Sequence, residues 1–480
     1  MSILVIDVGT SSVRAAVVGP DAAVSHEFAR PTSPDTPVAG LVEFDARGYA
    51  DAALDCARAA LDAHGPVEAV GIANQRASTI VWDRDTGEPV APAQGWQDLR
   101  TVGQCLELAG DGIRLAPNQS ATKVADILDA VDPGRQRDLC FGTPDSWLVW
   151  VLTEGAHHVS DLSNAALWGL LRSDGTHYDA RVLEALNIPA SVLPRIVDST
   201  GAVGEATALP GAPPVCGIAG DQQASLIGQG CVRPGMAKIT FGTGGMLDVC
   251  LGPDRPTAAV RGESGTFPIV CWRQDEVITW GSEAIMLSAG TNVEWLVEDL
   301  GIVESAAATA DVAASVDTTD GVVFVPALLG LGTPYWDYGA RGALFGVTRG
   351  TTAAHVTRAV LEGVAELGAD LVAATEADTG LTLDSLRVDG GMAANPVFVQ
   401  HLADATQRPV EVAPVREATT LGAGFLAGLA VGTWSGWDEV LDSWRPSARI
   451  EPGAPSDRER WADAVGRAGR WYEDLSSLDF

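Results

Sequence analysis

Lysine is almost missing. Lys123 and Lys238 are the only two, so nearly all positive charge in the 480 residues is arginine, the side chain suited to forked contact with phosphate and carboxylate. GC-rich coding alone produces the same bias. Positive charge as a whole is scarce, with 31 basic against 63 acidic side chains and a formal charge of −32. A field of that sign repels polyphosphate strands and anionic lipid heads, so neither nucleic acid nor a membrane surface is an expected partner. Long hydrophobic runs are absent too. The nearest, Leu421 to Trp434, falls short of the roughly 20 residues that span a bilayer and is rich in Gly and Ala. Met1 runs into Ile3-Leu4-Val5-Ile6 with no basic segment or cleavage site, which predicts a cytoplasmic protein. Cysteines stand singly at Cys56, Cys105, Cys140, Cys216, Cys231, Cys250 and Cys271, a pattern that fits neither a disulfide framework nor a zinc site. The adjacent His157 and His158 diverge on a strand and read as solvated or hydrogen-bonded rather than metal-ligating. What is plentiful is ordinary core material, 46% hydrophobic against 20% charged, in a length that suits two or three domains.

Two common nucleotide fingerprints are also missing. Ile3 to Val8 is an apolar run, Gly9-Thr10-Ser11-Ser12 is a turn cluster, and Val13 to Val18 is a second strand-like run. A dinucleotide fold needs G-x-G-x-x-G opening a helix, and a Walker loop needs G-x-x-x-x-G-K-[ST]; this segment instead predicts a β-hairpin with a small polar turn. A related phrase recurs about half the chain later, Lys238 to Phe241, then Gly242-Thr243-Gly244-Gly245, then Met246 to Cys250. Two halves built on one α/β plan are expected.

Further on, helix and strand signals alternate. Thr352 to Ala377 predicts a long helix, Leu386 to Val388 a strand stopping at Asp389-Gly390-Gly391, and Asn395 to Thr406 the next helix. The Gly/Pro-rich stretch Leu209 to Pro214 leads into a short strand, Val215 to Ile218, and the domain transition is placed just after it. The expected units are 1–226, 227–440 and an extension over 441–480. Ser456 and Glu459 have capping-box spacing, and Trp461, Val465, Ala468, Tyr472 and Leu475 form one stripe, which predicts a last helix packed on the body.

Backbone N–H groups in tight Gly/Ser/Thr turns can hold polyphosphate, and two such turns facing each other would grip one nucleotide from both sides. Thr10, Ser11, Ser12 and Thr243 supply hydroxyls, Gly242 an unobstructed backbone, and Arg14 a cation. Asp7 lies beside these phosphates, which suits a carboxylate only with a metal ion between, so Mg²⁺ is implied. An ordinary hairpin whose Asp caps its own turn is the plainer alternative. Ala219-Gly220-Asp221-Gln222-Gln223 delivers a second carboxylate at a strand end. Phosphoryl transfer needs one such group to orient the accepting hydroxyl, and an Asp with an ordinary pKa is ionised for the task. A turn or helix cap is the alternative there. Gly390 and Gly391 permit close approach by a flat ring, and Asn395 offers an amide to adenine or phosphate; a simple left-handed turn competes with that reading.

Taken in order, Asp7-x-Gly9-Thr10-Ser11, Asn74-Gln75-Arg76, Gly95-Trp96-Gln97-Asp98-x-Arg100-Thr101, Gly220-Asp221-Gln222-Gln223, Gly242-Thr243-Gly244, Ala340-Arg341-Gly342-Ala343 through Thr348-Arg349-Gly350-Thr351, and Asp389-Gly390-Gly391 resemble the FGGY carbohydrate kinases. The resemblance runs from about residue 3 to about 434 and looks closest to glycerol kinases. It implies two actin-like, ribonuclease-H-like domains flanking an ATP cleft, with ATP and Mg²⁺ as cofactors, a small polyol or sugar as acceptor, and a homodimer as a candidate assembly. On this resemblance Asp221 is the catalytic base and shares Mg²⁺ with Asp7. Thr10, Ser11 and Thr243 contact phosphate, Gly391 and Asn395 the adenosine, and Arg76, Trp96, Asp221 and Gln222 the polyol.

Several positions depart from the pattern. Arg76 is followed by Ala77 where glycerol kinases carry Glu, Asn118 aligns with a substrate Tyr, Met246 with an aromatic residue, and Asp126 with a Trp. Losing a buried hydroxyl acceptor commonly shifts discrimination by roughly 10⁴. The sequence therefore predicts a kinase for glycerol, a tetritol, a pentitol or a ketopentose such as xylulose. The rival class is a nucleotide-gated sugar sensor or actin-like ATPase; a dinucleotide oxidoreductase is disfavoured by the hairpin.

Overall fold

In the computed structural model, which describes residues 1–414 and 417–478, the expected hairpins form and each seeds a sheet. In the first, β1 (Ile3–Val8) runs antiparallel to β2 (Ser12–Val18), which pairs with β3 (Val24–Pro31). On its other side β1 pairs in parallel with β4 (Ala69–Asn74), followed by parallel β6 (Pro214–Gly220) and antiparallel β5 (Thr200–Glu205). The apolar runs make β1 and β4 buried on both faces, as parallel central strands require.

The second sheet repeats that wiring. β7 (Ala237–Phe241) is antiparallel to β8 (Gly245–Gly252), which pairs antiparallel with β10 (Val277–Met286). Beyond β7 lie parallel β11 (Leu386–Asp389), parallel β12 (Val410–Val412) and antiparallel β13 (Ala448–Ile450). One edge strand, β9 (Phe267–Gln274), is added beside β10. Strand for strand, the sense of every pairing matches the first sheet, so the two halves do share one plan.

Helices close each sheet. α1 (Ala46–His64) buries Ala53, Ala57 and Ala60 against β1 to β3, its N-terminus capped by Asp45. The long helix α3 (Ala353–Thr379) and α4 (Pro396–Thr406) cover the second sheet around Phe241, Leu367 and Phe398. One element packs across the expected division at 226/227. α5 (Ala418–Val431) falls in the second unit by sequence, yet it packs on β1, β4 and β6 of the first sheet and on α2 (Asp221–Gly228). Small residues permit this: a Cβ on Gly422 would lie 1.8 Å from the Ala224 carbonyl oxygen, so the α2–α5 crossing is a backbone-to-backbone contact. These two helices form the seam between the domains.

The C-terminal segment is also corrected. Its helix α6 (Arg458–Ala468) is capped by Asp457, not Ser456, and stops at Ala468. Trp461, Val465 and Ala468 enter the second domain's core as expected, whereas Tyr472 and Leu475 lie beyond the helix and are exposed. Among the described residues, no helix is long and apolar enough to cross a membrane.

Candidate active site

The ends of β4 and β6 meet the second sheet at Arg76, which lies 3.4 Å from Asp221, 2.7 Å from Glu283 and 3.7 Å from Met246 Sδ. At the first turn the Gly9 N–H donates to the Ser12 carbonyl at 3.0 Å, which leaves Thr10 and Ser11 at the tip. The Thr10 carbonyl accepts from the Tyr49 hydroxyl at 2.8 Å, and its Oγ1 accepts from the Trp96 indole at 3.2 Å. Trp96 is thus half-buried and joined to the turn, and core packing does not describe it. Asp7, with only 11% of its side chain exposed, lies 3.5 Å from Arg14 Nε. Burial pushes its carboxyl up to about 7, Arg14 pulls against that, and the charge of Asp221 adds to the rise.

Asp221 is the first residue of α2, placed where β6 ends. Its neighbour Gly220 is fixed by an N–H bond to Ser163 Oγ at 3.0 Å. Arg76 Nε lies 3.4 Å from Asp221 Oδ1, and Arg76 Nη1 donates to Glu283 Oε2 at 2.7 Å. Burial works against the Arg76 charge, but Glu283 and Asp221 outweigh it and hold the guanidinium firmly protonated. The expectation of an ordinary Asp221 is corrected: burial in the cleft raises its pKa, with Arg76 opposing. A carboxylate so displaced is a better proton acceptor than a free one.

Gln222, expected to touch the acceptor, has its Oε1 held by Lys238 Nζ at 2.6 Å. Lys238 in turn pairs with Asp248 at 2.8 Å, both side chains being fully buried. Met246 approaches Arg76 through its Sδ at 3.7 Å from Nη2. Ala77 is buried with a positive φ of 59°, and its carbonyl accepts from Ser120 Oγ at 3.0 Å. Asn118 is exposed in a loop that Lys123 stabilises by donating to the Pro117 and Gln119 carbonyls at 2.8 and 3.2 Å. Asp126 accepts from Gln94 at 2.7 Å.

At the second turn, the Ala289 and Gly290 N–H groups donate to the Thr243 and Gly242 carbonyls at 2.9 and 2.8 Å, which leaves the Thr243 side chain exposed to the cleft. Gly390 has φ of 89° and lies so close to β7 that a Cβ would sit 2.2 Å from the Phe241 carbonyl oxygen. That contact requires glycine and brings Gly390 and Gly391 beside the Gly242-Thr243 turn. The expected role of Asn395 is altered by the geometry. Its side-chain oxygen caps α4, accepting from the Val397 and Phe398 N–H groups at 3.0 and 3.3 Å, and its amide donates to Thr309 at 3.1 Å. The side chain is committed to the helix start, neither free for adenine nor part of the left-handed turn that competed with that reading.

Sequence reading missed Glu283, Lys238 and Asp248 as parts of the site. The signal lay in the strand pattern. Lys238, Asp248 and Glu283 are buried charges inside otherwise apolar strands, and the register places Lys238 opposite Asp248 and Asp248 opposite Glu283. Buried charges in such a row demand partners. Among the described residues no group of three or more His, Cys, Asp or Glu is arranged to hold a metal ion. Asp7 and Asp221 offer two carboxylates, which suits an ion that takes its other ligands from water and phosphate.

Duplicated sheets, each with a polar turn in its first hairpin, and a carboxylate at a strand end fit a two-domain, actin-like phosphotransferase. Residues 2–228 match the N-terminal domain, and residues 237–431 the C-terminal domain, of the FGGY family of carbohydrate kinases. The chain belongs to that family and is a phosphotransferase with an alcohol group as acceptor. It is 42% identical to a glycerol kinase of Aromatoleum aromaticum over 494 residues, covering 98% of this chain and 99% of that protein. Against a glycerol kinase of Azotobacter vinelandii the identity is 40%, covering 98% of each. The crystal structure of Plasmodium falciparum glycerol kinase with ADP superposes with a TM-score of 0.91 at 28% identity, covering 97% of this chain and 98% of that one.

Proposed function

We propose that the chain transfers the γ-phosphoryl group of ATP to a hydroxyl of a polyol or ketose of three to five carbons. The observation that carries this reading is Arg76, held between Asp221 of its own domain and Glu283 of the other, at 3.4 and 2.7 Å. Such a fixed guanidinium beside a carboxylate binds vicinal hydroxyls and holds one of them against the base. Asp221 accepts the proton of the attacking hydroxyl as the bond to phosphorus forms. Trp96 supplies an apolar wall for the carbon chain, and Gln222 donates to a second hydroxyl.

The turn at Gly9 to Ser12 and the turn at Gly242-Thr243 support the phosphates from opposite sides, with Gly390 and Gly391 leaving room for the adenosine. Mg²⁺, held by Asp7 and Asp221, would neutralise charge on the phosphates. Asp7 fits this use because it is a desolvated carboxylate with one flanking cation, Arg14. The small Ala77, the exposed Asn118 and the flexible Met246 support an acceptor site wider than one built from Glu and two aromatic rings, so longer acceptors compete with glycerol.

ADP release measured with glycerol, erythritol, xylitol, ribitol and D-xylulose tests the reading. Acceptor-dependent release with at least one of them is the expected result. ATP hydrolysis indifferent to all five, or polymerisation on adding ATP, would replace it with an actin-like ATPase.

A further inference from the structure

A row of charge crosses the second sheet. Glu283 on β10 faces Asp248 on β8, Asp248 faces Lys238 on β7, and Lys238 faces Arg387 on β11. The row continues through Glu411 on β12 to Arg449 on β13. Its cleft end is joined to the first domain twice, by Arg76 to Glu283 and by Lys238 to Gln222. The first contact involves a residue already placed in the acceptor site. The second reaches the acceptor site only through Gln222: Lys238 itself is fully buried and donates to Gln222 Oε1 at 2.6 Å and to Thr240 Oγ1 at 2.9 Å.

An ammonium has donors and no acceptor, so only the carbonyl end of the Gln222 amide can face it. The opposite end, Nε2 with its two N–H donors, is thereby turned away from Lys238. A free glutamine rotates its amide through both orientations and presents donor and acceptor alike. We propose that Lys238, neutralised by Asp248, is a positioning residue that locks the Gln222 amide with its N–H donors toward the acceptor, selecting a substrate oxygen that accepts a hydrogen bond. The proposal rests on the reading above that Gln222 touches the acceptor. Asp248 makes it affordable to bury the ammonium: the pair sits side by side across the β7–β8 ladder at 2.8 Å. Lys238 ties a second-sheet strand to the first turn of α2, so the contact that orients the amide comes from the other domain.

A double-mutant cycle between Lys238→Met and Gln222→Ala tests this, read as KM and kcat for whichever acceptor the wild type uses, with KM for ATP alongside. Lys238→Met alone is expected to raise acceptor KM about tenfold or more, with KM for ATP within about twofold of wild type. In the Gln222→Ala background the same change is expected to add little, because the amide it orients is gone. Full additivity, or a parallel rise in KM for ATP, would overturn the proposal and leave Lys238 a structural residue. Since Lys238→Met leaves Asp248 buried without its cation, Lys238→Met/Asp248→Leu repeats the cycle with an apolar pair of similar bulk. It is expected to show the same acceptor defect and the same non-additivity; wild-type acceptor KM in that variant would equally overturn it. Absence of any acceptor-dependent ADP release in the wild-type chain refutes the kinase reading itself, and the inference with it, which separates the two failures.

Discussion

Arg76 Nη1 in the first domain donates to Glu283 Oε2 in the second at 2.7 Å, with 12% and 6% of their side chains exposed. This ion pair joins the two domains, and on its other side Arg76 pairs with Asp221 at 3.4 Å. Removing the cation strands two carboxylates in a desolvated site. Arg76→Met should therefore lower kcat/KM for the acceptor by about 10² or more and also lower stability by about 3–5 kcal/mol. Urea unfolding and acceptor kinetics check the two effects, and a variant with wild-type acceptor KM would remove Arg76 from the site.

Asp221→Asn keeps the shape of the side chain and loses the proton acceptor. Turnover is expected to fall by about 10²–10⁴ while nucleotide binding, followed by calorimetry, stays within a few-fold of wild type. Full activity in this variant would reject the role of Asp221 as base.

The resemblance to glycerol kinases aligns Ala77 with an acidic residue that follows Arg in them. If the missing carboxylate is what widens the acceptor range, Ala77→Glu should raise kcat/KM for glycerol relative to a five-carbon acceptor by about tenfold or more. An unchanged ratio would show that other walls set the selectivity.

His158 lies away from the cleft, with Nε2 2.8 Å from the Phe141 carbonyl oxygen and its ring edge-on to Trp82. Burial depresses its pKa to about 4, from an ordinary value near 6.5. Between those values the unfolded chain binds a proton that the folded chain does not, so this contribution is present above pH 6.5 and is lost as pH falls toward 4. The wild type should lose about 3 kcal/mol relative to His158→Gln across that window. Parallel stability curves from pH 7 to 4 would contradict the assignment.

Trp461 on α6 donates from Nε1 to Asp370 Oδ2 at 2.9 Å, beside bonds to the same carboxylate from Tyr335 at 2.8 Å and from Arg458. Trp461→Phe keeps the ring and removes the donor. A loss of about 1–3 kcal/mol in urea unfolding is expected, with acceptor and ATP KM unchanged, because this network lies behind the second sheet.

Much of the candidate site was legible because tight polar turns are local. Gly9 to Ser12 and Gly242-Thr243 announce themselves by residue type between apolar runs, and Asp221 by its place at a strand end. Family resemblance added Arg76, Trp96 and Gln222, which no periodicity singles out. Asn395 shows the limit of such transfer: a residue ahead of Pro396 in a strand-to-helix turn has a cap to fill, and the backbone claims its oxygen first.

The order of residues alone determined the two hairpins, the duplicated α/β plan and the carboxylates at strand ends, since each depends on neighbours a few positions apart. Tertiary structure decided which side chains meet across the seam: Arg76 with Glu283, Gln222 with Lys238, and α5 with the first sheet rather than the second. Those pairings depend on strand register and on glycines that let helices touch backbone to backbone, and neither is encoded in any single stretch of chain.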